Sequence, residues 1–309
     1  TAEVLVTLEQ FDQIAGEWKG LFAASRGAAP FLSYEWVSLF VPRLEAGEQL
    51  FIVLVREGGA LVGVGPFKAR RRALGTVVLP IAVGVAAYGG VLTARDRLDV
   101  VDCMAGVIGD RADVGLFYMP LATSSDVLVW LLLTQFANRR FTCAWWPREV
   151  SHSIRNPGGA PVYLSRKSGK SRQRMQREER NLEQDGTVRV DHLSGGEIDE
   201  SVLGRLDAIQ SRSWQQRRYG VAPVGEPWEG ARHLAMAKAG LAEVFILRVG
   251  DADSAFILNY RHGEAAYAMV TAFVESHGPR SPGKYLWRRV ICAVLDRGDA
   301  RYDLLLGNA

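Results

Sequence analysis

Twice along this chain the hydrophobic pattern runs strand, two helices, antiparallel strands, and few folds accommodate that order repeated. In the first pass a strand at 5–8 precedes an amphipathic helix over 9–26, with Phe11, Ile14, Trp18, Leu21 and Phe22 on one face. Ser33 then caps a helix over 34–43, and strands at 50–55 and 61–69 flank the turn signal Glu57-Gly-Gly59. The second pass begins after residue 186, with a strand at 187–192, helices over 199–216 and 226–239, and a meander at 244–249, 254–261 and 265–274. Its turns fall at Gly250-Asp251 and His262-Gly263, and a helix over 285–297 and a strand at 302–306 complete it. Between the passes, 98–103 and 141–146 read as strands around a helix at 125–138. Asn156-Pro-Gly-Gly159 marks the boundary, giving units 1–158 and 159–309.

A chain of 309 residues lets each unit reach ordinary domain size. Against 37 Lys and Arg stand 34 Asp and Glu, a net charge of +3, which is no footprint of a general DNA or RNA binder. Cys103, Cys143 and Cys292 lie far apart, form no C-x-x-C pair and have no His at ligand spacing. They are expected to be small buried apolar residues in a reducing cytoplasm, with no metal site. No basic stretch followed by an apolar run opens the chain, so no leader is expected. The apolar runs at 76–90, broken by Pro80, and at 127–133 are too short to span a membrane.

One connection in the second unit suggests chemistry. The strand from Glu264 to Val274 leads through Ser276-His-Gly-Pro-Arg-Ser-Pro-Gly-Lys284 into the helix that starts at Tyr285. A Gly- and Pro-rich loop opening a helix can aim free N–H groups and the positive end of the helix dipole at a phosphate oxygen. Arg280 and Lys284 add full charges. The same spacing fits an ordinary strand-to-helix connection with a surface Arg and Lys, so the surroundings decide.

This segment resembles the pyrophosphate loop of the GNAT acyltransferases, whose pattern reads Gln or Arg, two residues, Gly, one residue, then Gly or Ala. Arg280-Ser-Pro-Gly283-Lys284 follows it and Tyr285 departs from it. A bulky side chain there is expected to limit the approach of a phosphate, and Pro282 removes one N–H donor. Together with Pro30-Phe-Leu-Ser-Tyr-Glu-Trp36, the stretch from Arg172 to Gly186, and Tyr302-Asp-Leu-Leu-Leu-Gly307, the loop makes the chain similar to one divergent branch. That branch holds the CelD/BcsL-like proteins linked to cellulose and exopolysaccharide loci, and FemABX aminoacyltransferases are its relatives.

The resemblance implies an α/β (α+β) fold of tandem GNAT-like units, each a mixed, mostly antiparallel sheet flanked by helices. Unit 159–309 would bind the acyl donor and catalyse, and unit 1–158 would be scaffold and acceptor wall. It implies acetyl-CoA or another acyl-CoA as co-substrate. Met269, Val270, Thr271 and Phe273 would bond the pantetheine arm, and Arg280, Ser281, Gly283 and Lys284 would hold the pyrophosphate. The amine of an amino sugar or small metabolite, in polysaccharide or secondary metabolism, would attack the thioester directly.

That attack needs a base for the amine, a donor to the oxyanion and an acid for the leaving thiolate. Glu275 and His277 are the candidate base or relay, and Tyr267 or Tyr260 could protonate the thiolate; each also fits as a surface or packing residue. The chain ends directly after the last strand, where many GNAT enzymes carry an acid Tyr, so the resemblance leaves the acid open. Trp214, Arg218 and Tyr219, with Arg212 and Arg217, form a basic-aromatic cluster that would line an acceptor pocket. The helix bearing Arg172, Arg174, Arg177 and Arg180, after Arg166, Lys167 and Lys170, fits either a solvated ion-paired surface or a contact to CoA phosphate, anionic glycan or a tRNA acceptor arm. Aminoacyl-tRNA is the alternative donor, although no heptads announce the long helical arm usual in FemABX proteins. A non-catalytic protein on the same fold is the third reading.

Overall fold

The computed structural model describes residues 1–82, 88–94, 97–123, 126–139, 141–147 and 150–305. They divide into two compact units, Thr1–Val150 and Ser151–Ala309.

In the first unit, β1 (Ala2–Leu5) leads into α1 (Leu8–Gln13) and α2 (Ala15–Ala24), so the helix expected over 9–26 is broken at Ile14. Thr7 caps α1, accepting from the Gln10 N–H at 3.2 Å while Gln10 Oε1 accepts from the Thr7 N–H at 3.3 Å. The apolar face read from the sequence is buried, and Trp18 donates its Nε1–H to the Leu32 carbonyl at 2.9 Å. Ser33 caps α3 (Tyr34–Phe40) as expected, which sets Trp36 in the core with no exposed surface. Strands β2 (Glu48–Glu57), β3 (Ala60–Arg72), β4 (Gly75–Pro80), β5 (Leu92–Thr93) and β6 (Val114–Phe117) form the sheet β1-β2-β3-β4-β6, with β5 on β3. Its pairs are antiparallel except β4–β6.

The strand expected at 98–103 is the first half of helix α4 (Leu98–Gly109). Val100, Val101, Met104, Ala105 and Ile108 are its buried residues, a spacing of three to four that a six-residue window cannot tell from a strand. Helix α4 crosses β3 so closely that a Cβ on Gly63 would sit 2.2 Å from Val100 Cγ1. Helix α5 (Val127–Ala137) forms as expected, but residues 141–146 carry no regular structure. Trp145 and Trp146 there are 68% and 63% exposed, so the segment lacks the burial that would pay the entropy of a strand.

The second unit starts with β7 (Ser153–Arg155), which lies before the boundary expected at 158 and pairs with the last strand of this unit's sheet. Then come α6 (Ala160–Ser165), α7 (Gly169–Glu183), β8 (Val188–Ser194), α8 (Glu200–Gln210), α9 (Trp214–Tyr219) and α10 (Pro227–Lys238). The helix expected over 199–216 stops at Gln210, because Ser213 accepts from the Gln216 N–H at 3.2 Å and starts α9 in a new direction. The meander is β9 (Ala242–Val249), β10 (Ala252–His262) and β11 (Ala265–Phe273), followed by α11 (Pro282–Asp296) and β12 (Arg301–Asp303). The sheet order is β7-β12-β11-β10-β9-β8, antiparallel except for β11–β12. Leu286, Val290 and Val294 of α11 are buried against Phe245, Leu247 and Ile257, each worth about 2 kcal/mol of transfer free energy.

Beneath α11 the sheet holds a buried polar network that sequence spacing did not reveal. Tyr302 donates to Asn259 Oδ1 at 2.9 Å, Asn259 Nδ2 donates to Glu243 Oε1 at 3.1 Å, and Arg297 Nη1 donates to Glu243 Oε2 at 2.5 Å. Burial raises the Glu243 pKa, but the bonds from His192, Arg297 and Asn259 outweigh it and bring it down to about 2.

The cysteines differ from expectation. Cys103 and Cys143 are exposed and Cys292 is half-buried, all three as free thiols, because their helix and loop positions face outward. No group of His, Cys, Asp and Glu among the described residues could hold a metal ion. No helix among them is long and apolar enough to cross a membrane.

Candidate functional site

The parallel pairing of β11 with β12 covers only Ala265–Tyr267 against Arg301–Asp303. The pairing stops where β12 ends at Asp303, and no strand among the described residues pairs with that edge of β11 from Ala268 to Phe273. On the other edge Leu258 of β10 pairs with Val270 while Asn259 pairs with Ala268, so Met269 is the extra residue of a β-bulge. The bulge reverses the alternation: Ala266 before it and Phe273 after it both pack toward the α11 core. Tyr267 and Thr271, which regular alternation would place together, therefore lie on opposite faces.

The Val274 N–H donates to the Ser254 carbonyl at 2.9 Å. Antiparallel alternation then turns the N–H and C=O groups of Thr271 and Phe273 away from β10, toward the edge that no described strand pairs. Three of the expected strand residues, Met269, Thr271 and Phe273, thus mark a bulge and a free edge, and Val270 faces its neighbour on β10.

The loop after β11 is a 3-10 turn, Glu275–Arg280, ending in Ser281, a non-glycine residue at φ 59 and ψ 43. That left-handed residue redirects the chain into α11, whose N-terminus has no side-chain cap. Pro282 occupies the first helical position, and the N–H groups of Gly283 and Lys284 meet no protein acceptor among the described residues. Gly283 keeps that end thin, since a Cβ there would lie 3.1 Å from Phe273 Cδ1. A helix N-terminus so arranged presents partial positive charge to an anion. Tyr285 does not obstruct it: contrary to the sequence expectation, its side chain is buried in the core beside Leu182 and Leu286.

Of the two charges on the loop, Lys284 is exposed, whereas Arg280 is paired with Asp185 at 2.9 Å and donates to Gln184 Oε1 at 3.2 Å, past the end of α7. On α7 itself Arg174 lies 3.9 Å from Glu178, Glu178 is 3.6 Å from Arg288, and Arg172 donates to the Ser165 carbonyl. Arg177 and Arg180 are exposed without a partner among the described residues.

The candidate acid-base groups have distinct surroundings. Glu275 forms a two-pronged ion pair with Arg217 of α9, at 2.9 and 2.7 Å, and that hydrogen bonding lowers its pKa. His277 is half-buried, with Nδ1 3.1 Å from Ser254 Oγ. Tyr267, fully buried at the last residue of the β11–β12 pairing, accepts from Arg301 Nη2 at 2.9 Å. Tyr260, also fully buried, lies 2.8 Å from His233 Nδ1, and burial pushes its pKa upward.

Helix α9 and the residues before it are tied to β11 and the loop after it by Arg217, by the Glu275 N–H bonded to the Arg212 carbonyl at 2.9 Å, and by Gln215, whose Nε2 reaches the Thr271 carbonyl at 3.5 Å. It carries Trp214, stacked edge-on with the 60% exposed Tyr219, and Arg218 over the Tyr219 ring. Gln215 was not singled out by sequence, because a Gln pair after an Arg-Ser-Trp run carries no spacing signal.

The description "Acetyltransferase (GNAT) domain" matches residues 169–309. No curated protein sequence matches the chain. Among solved structures, FemX superimposes with a TM-score of 0.66 at 9% identity, over 95% of this chain and 87% of that one. L-PGS from Bacillus licheniformis gives 0.56 at 12% identity, over 98% and 80%. The C-terminal DUF2156 domain of a putative lysylphosphatidylglycerol synthetase from Agrobacterium fabrum gives 0.53 at 10%, over 96% and 78%. At such identities these likenesses establish a shared fold. Residues 169–309 thus match a GNAT acetyltransferase domain, and the chain shares the fold of FemX.

Proposed function

We propose that this protein transfers an acyl group from acyl-CoA to an amine by direct attack on the thioester. The carrying observation is that an edge of β11 at Ala268–Phe273, which no strand among the described residues pairs, leads into a helix N-terminus at Pro282–Lys284 with no side-chain cap. An extended arm with amide groups can hydrogen-bond along the first, and a pyrophosphate can sit on the second. In this reading Thr271 and Phe273 supply backbone bonds beside Met269 and Val270, and Ser281, Gly283, Lys284 and Arg280 surround the pyrophosphate. His277 fits the base better than Glu275, because a carboxylate shared with Arg217 is a weak proton acceptor. Tyr267, at the last residue of the β11–β12 pairing, is assigned to protonate the departing thiolate, and Trp214, Arg218 and Tyr219 to line the acceptor. Incubation with acetyl-CoA and a panel of amino sugars and small amines, read as free thiol released, tests this. Release that requires the amine and falls at least ten-fold in His277→Ala supports it; amine-independent or absent release contradicts it.

Aminoacyl-tRNA is a second donor, favoured by the superposition on FemX and by the exposed Arg177 and Arg180, which have no partner among the described residues. Salt-sensitive binding of charged tRNA, lost in Arg177→Ala/Arg180→Ala, would select it.

A further inference from the structure

A second bulge lies on β10, beside the loop that follows β11. Asp253 pairs with Arg248 and Ala255 with Leu247, so Ser254 is the extra residue, and a bulge re-aims the side chain it carries. Ser254 is fully buried and holds the start of the loop twice. Its carbonyl accepts from the Val274 N–H at 2.9 Å, and its Oγ lies 3.1 Å from His277 Nδ1. The His277 N–H closes the turn on the Val274 carbonyl at 3.0 Å, so one short stretch of strand fixes both the backbone and the ring. Glu275, two residues earlier, commits both carboxylate oxygens to Arg217, which leaves the serine hydroxyl as the ring's hydrogen-bond partner among the described residues. His277 Nε2 makes no hydrogen bond among them and keeps some exposure to solvent.

A serine hydroxyl has one proton to give and two lone pairs to accept with. Two acceptors are in reach of it, His277 Nδ1 and the Ala252 carbonyl at 3.4 Å. A proton given to Nδ1 would leave Nε2 as the N–H, and the open nitrogen could then accept nothing. A proton given to Ala252 lets Oγ accept from Nδ1–H, and the lone pair falls on Nε2. We propose that Ser254 is a positioning residue for His277 that enforces this second arrangement, making Nε2 the basic nitrogen. The inference deepens the N-acyltransferase reading and rests on it for the reaction that this base serves. As the amine nitrogen bonds to the thioester carbon and the C–S bond breaks, Nε2 takes the amine proton and the thiolate leaves with the bonding pair, to be protonated by Tyr267. The imidazolium so formed keeps its Nδ1–H on Ser254, so the ring need not turn during the step.

The test is long-range proton–nitrogen NMR of the imidazoles in the full chain at about pH 8.5, about two units above the ordinary histidine value. The chain has five histidines, and the pattern missing from His277→Gln assigns the one in question. The wild type is expected to show Nδ1 protonated and Nε2 bare, the bare nitrogen resonating far downfield. In Ser254→Ala the ring should revert to the Nε2–H form that unconstrained imidazole favours. Amine-dependent thiol release by that variant should lose about ten-fold in kcat, with the KM for acetyl-CoA and the Tm close to those of the wild type. Nε2–H in the wild type, or the Nδ1–H form retained in Ser254→Ala, would overturn the proposal, and so would an active enzyme whose kcat ignores the substitution. The tautomer is read without substrate, so the two ideas separate. No thiol release by a wild type that shows Nδ1–H sinks the acyltransferase reading and leaves the clamp on the ring standing, whereas release with Nε2–H sinks only the role of Ser254.

Discussion

Gly283→Ala isolates the role of the loop, because its effects on folding and on ligand binding should differ in size. The added methyl would stand 3.1 Å from Phe273 Cδ1 and 3.6 Å from Cγ, so the ring must give by a few tenths of an ångström. Alanine is worth up to about 1 kcal/mol over glycine inside a helix, less near its end, which offsets part of that contact. Net stability should change by no more than about 1 kcal/mol, a Tm shift within about 4 °C for a domain of this size. Binding should respond more strongly. A phosphate held by the Gly283 and Lys284 N–H groups makes charge-assisted hydrogen bonds worth about 1.5–3 kcal/mol each. Holding the anion off by a methyl and losing one such bond weakens acetyl-CoA by roughly ten-fold to a hundred-fold. Calorimetric Kd and thermal melts on the same preparations provide the assay. Unchanged affinity with an unchanged Tm would refute the placement of the phosphate, and a Tm lowered by more than about 8 °C would show that Gly283 serves packing alone.

Ser281→Gly should raise Tm by a few degrees, because relieving an L-residue at φ 59 recovers about 1 kcal/mol, and a lower Tm in thermal melts would show that the serine side chain stabilises the turn. Glu243, held at about 2 against an unfolded value of about 4.3, stabilises the fold fully above pH 5; that contribution should fade as pH drops from about 5 toward 2, and denaturant titrations across this range should show the loss. Glu243→Gln should remove most of that acid dependence and cost about 3–5 kcal/mol at neutral pH, since Arg297 loses a buried partner; a variant as stable as wild type would place the stabilisation elsewhere.

Much of this architecture was readable as periodicity. The face of Phe11, Ile14, Trp18, Leu21 and Phe22 and the caps at Ser33 and the β2–β3 turn obey local rules, and the structure follows them. Where local rules compete, reading by residue failed: 98–109 has both strand-like composition and helical spacing, and its packing against Gly63 decided for helix. The strand, loop and helix that build the candidate site were legible as an order of elements. The bulge at Met269 was not, because register depends on the partner strand, and neither was the burial of Tyr285, which depends on how α11 lies on the sheet. Arg280 read as a free charge until tertiary structure brought Asp185 to it. Gln215 acquires meaning only from the β11 edge it reaches.

The most direct test of the central claim is titration of the wild-type protein with acetyl-CoA and with desulfo-CoA, which keeps the pantetheine arm and pyrophosphate but lacks the reactive sulfur. Micromolar binding of both, lost in a variant that fills the loop such as Gly283→Trp while the fold melts as in wild type, is the result predicted here. Absence of binding by either ligand to a folded protein would contradict it and turn attention to aminoacyl-tRNA as the donor.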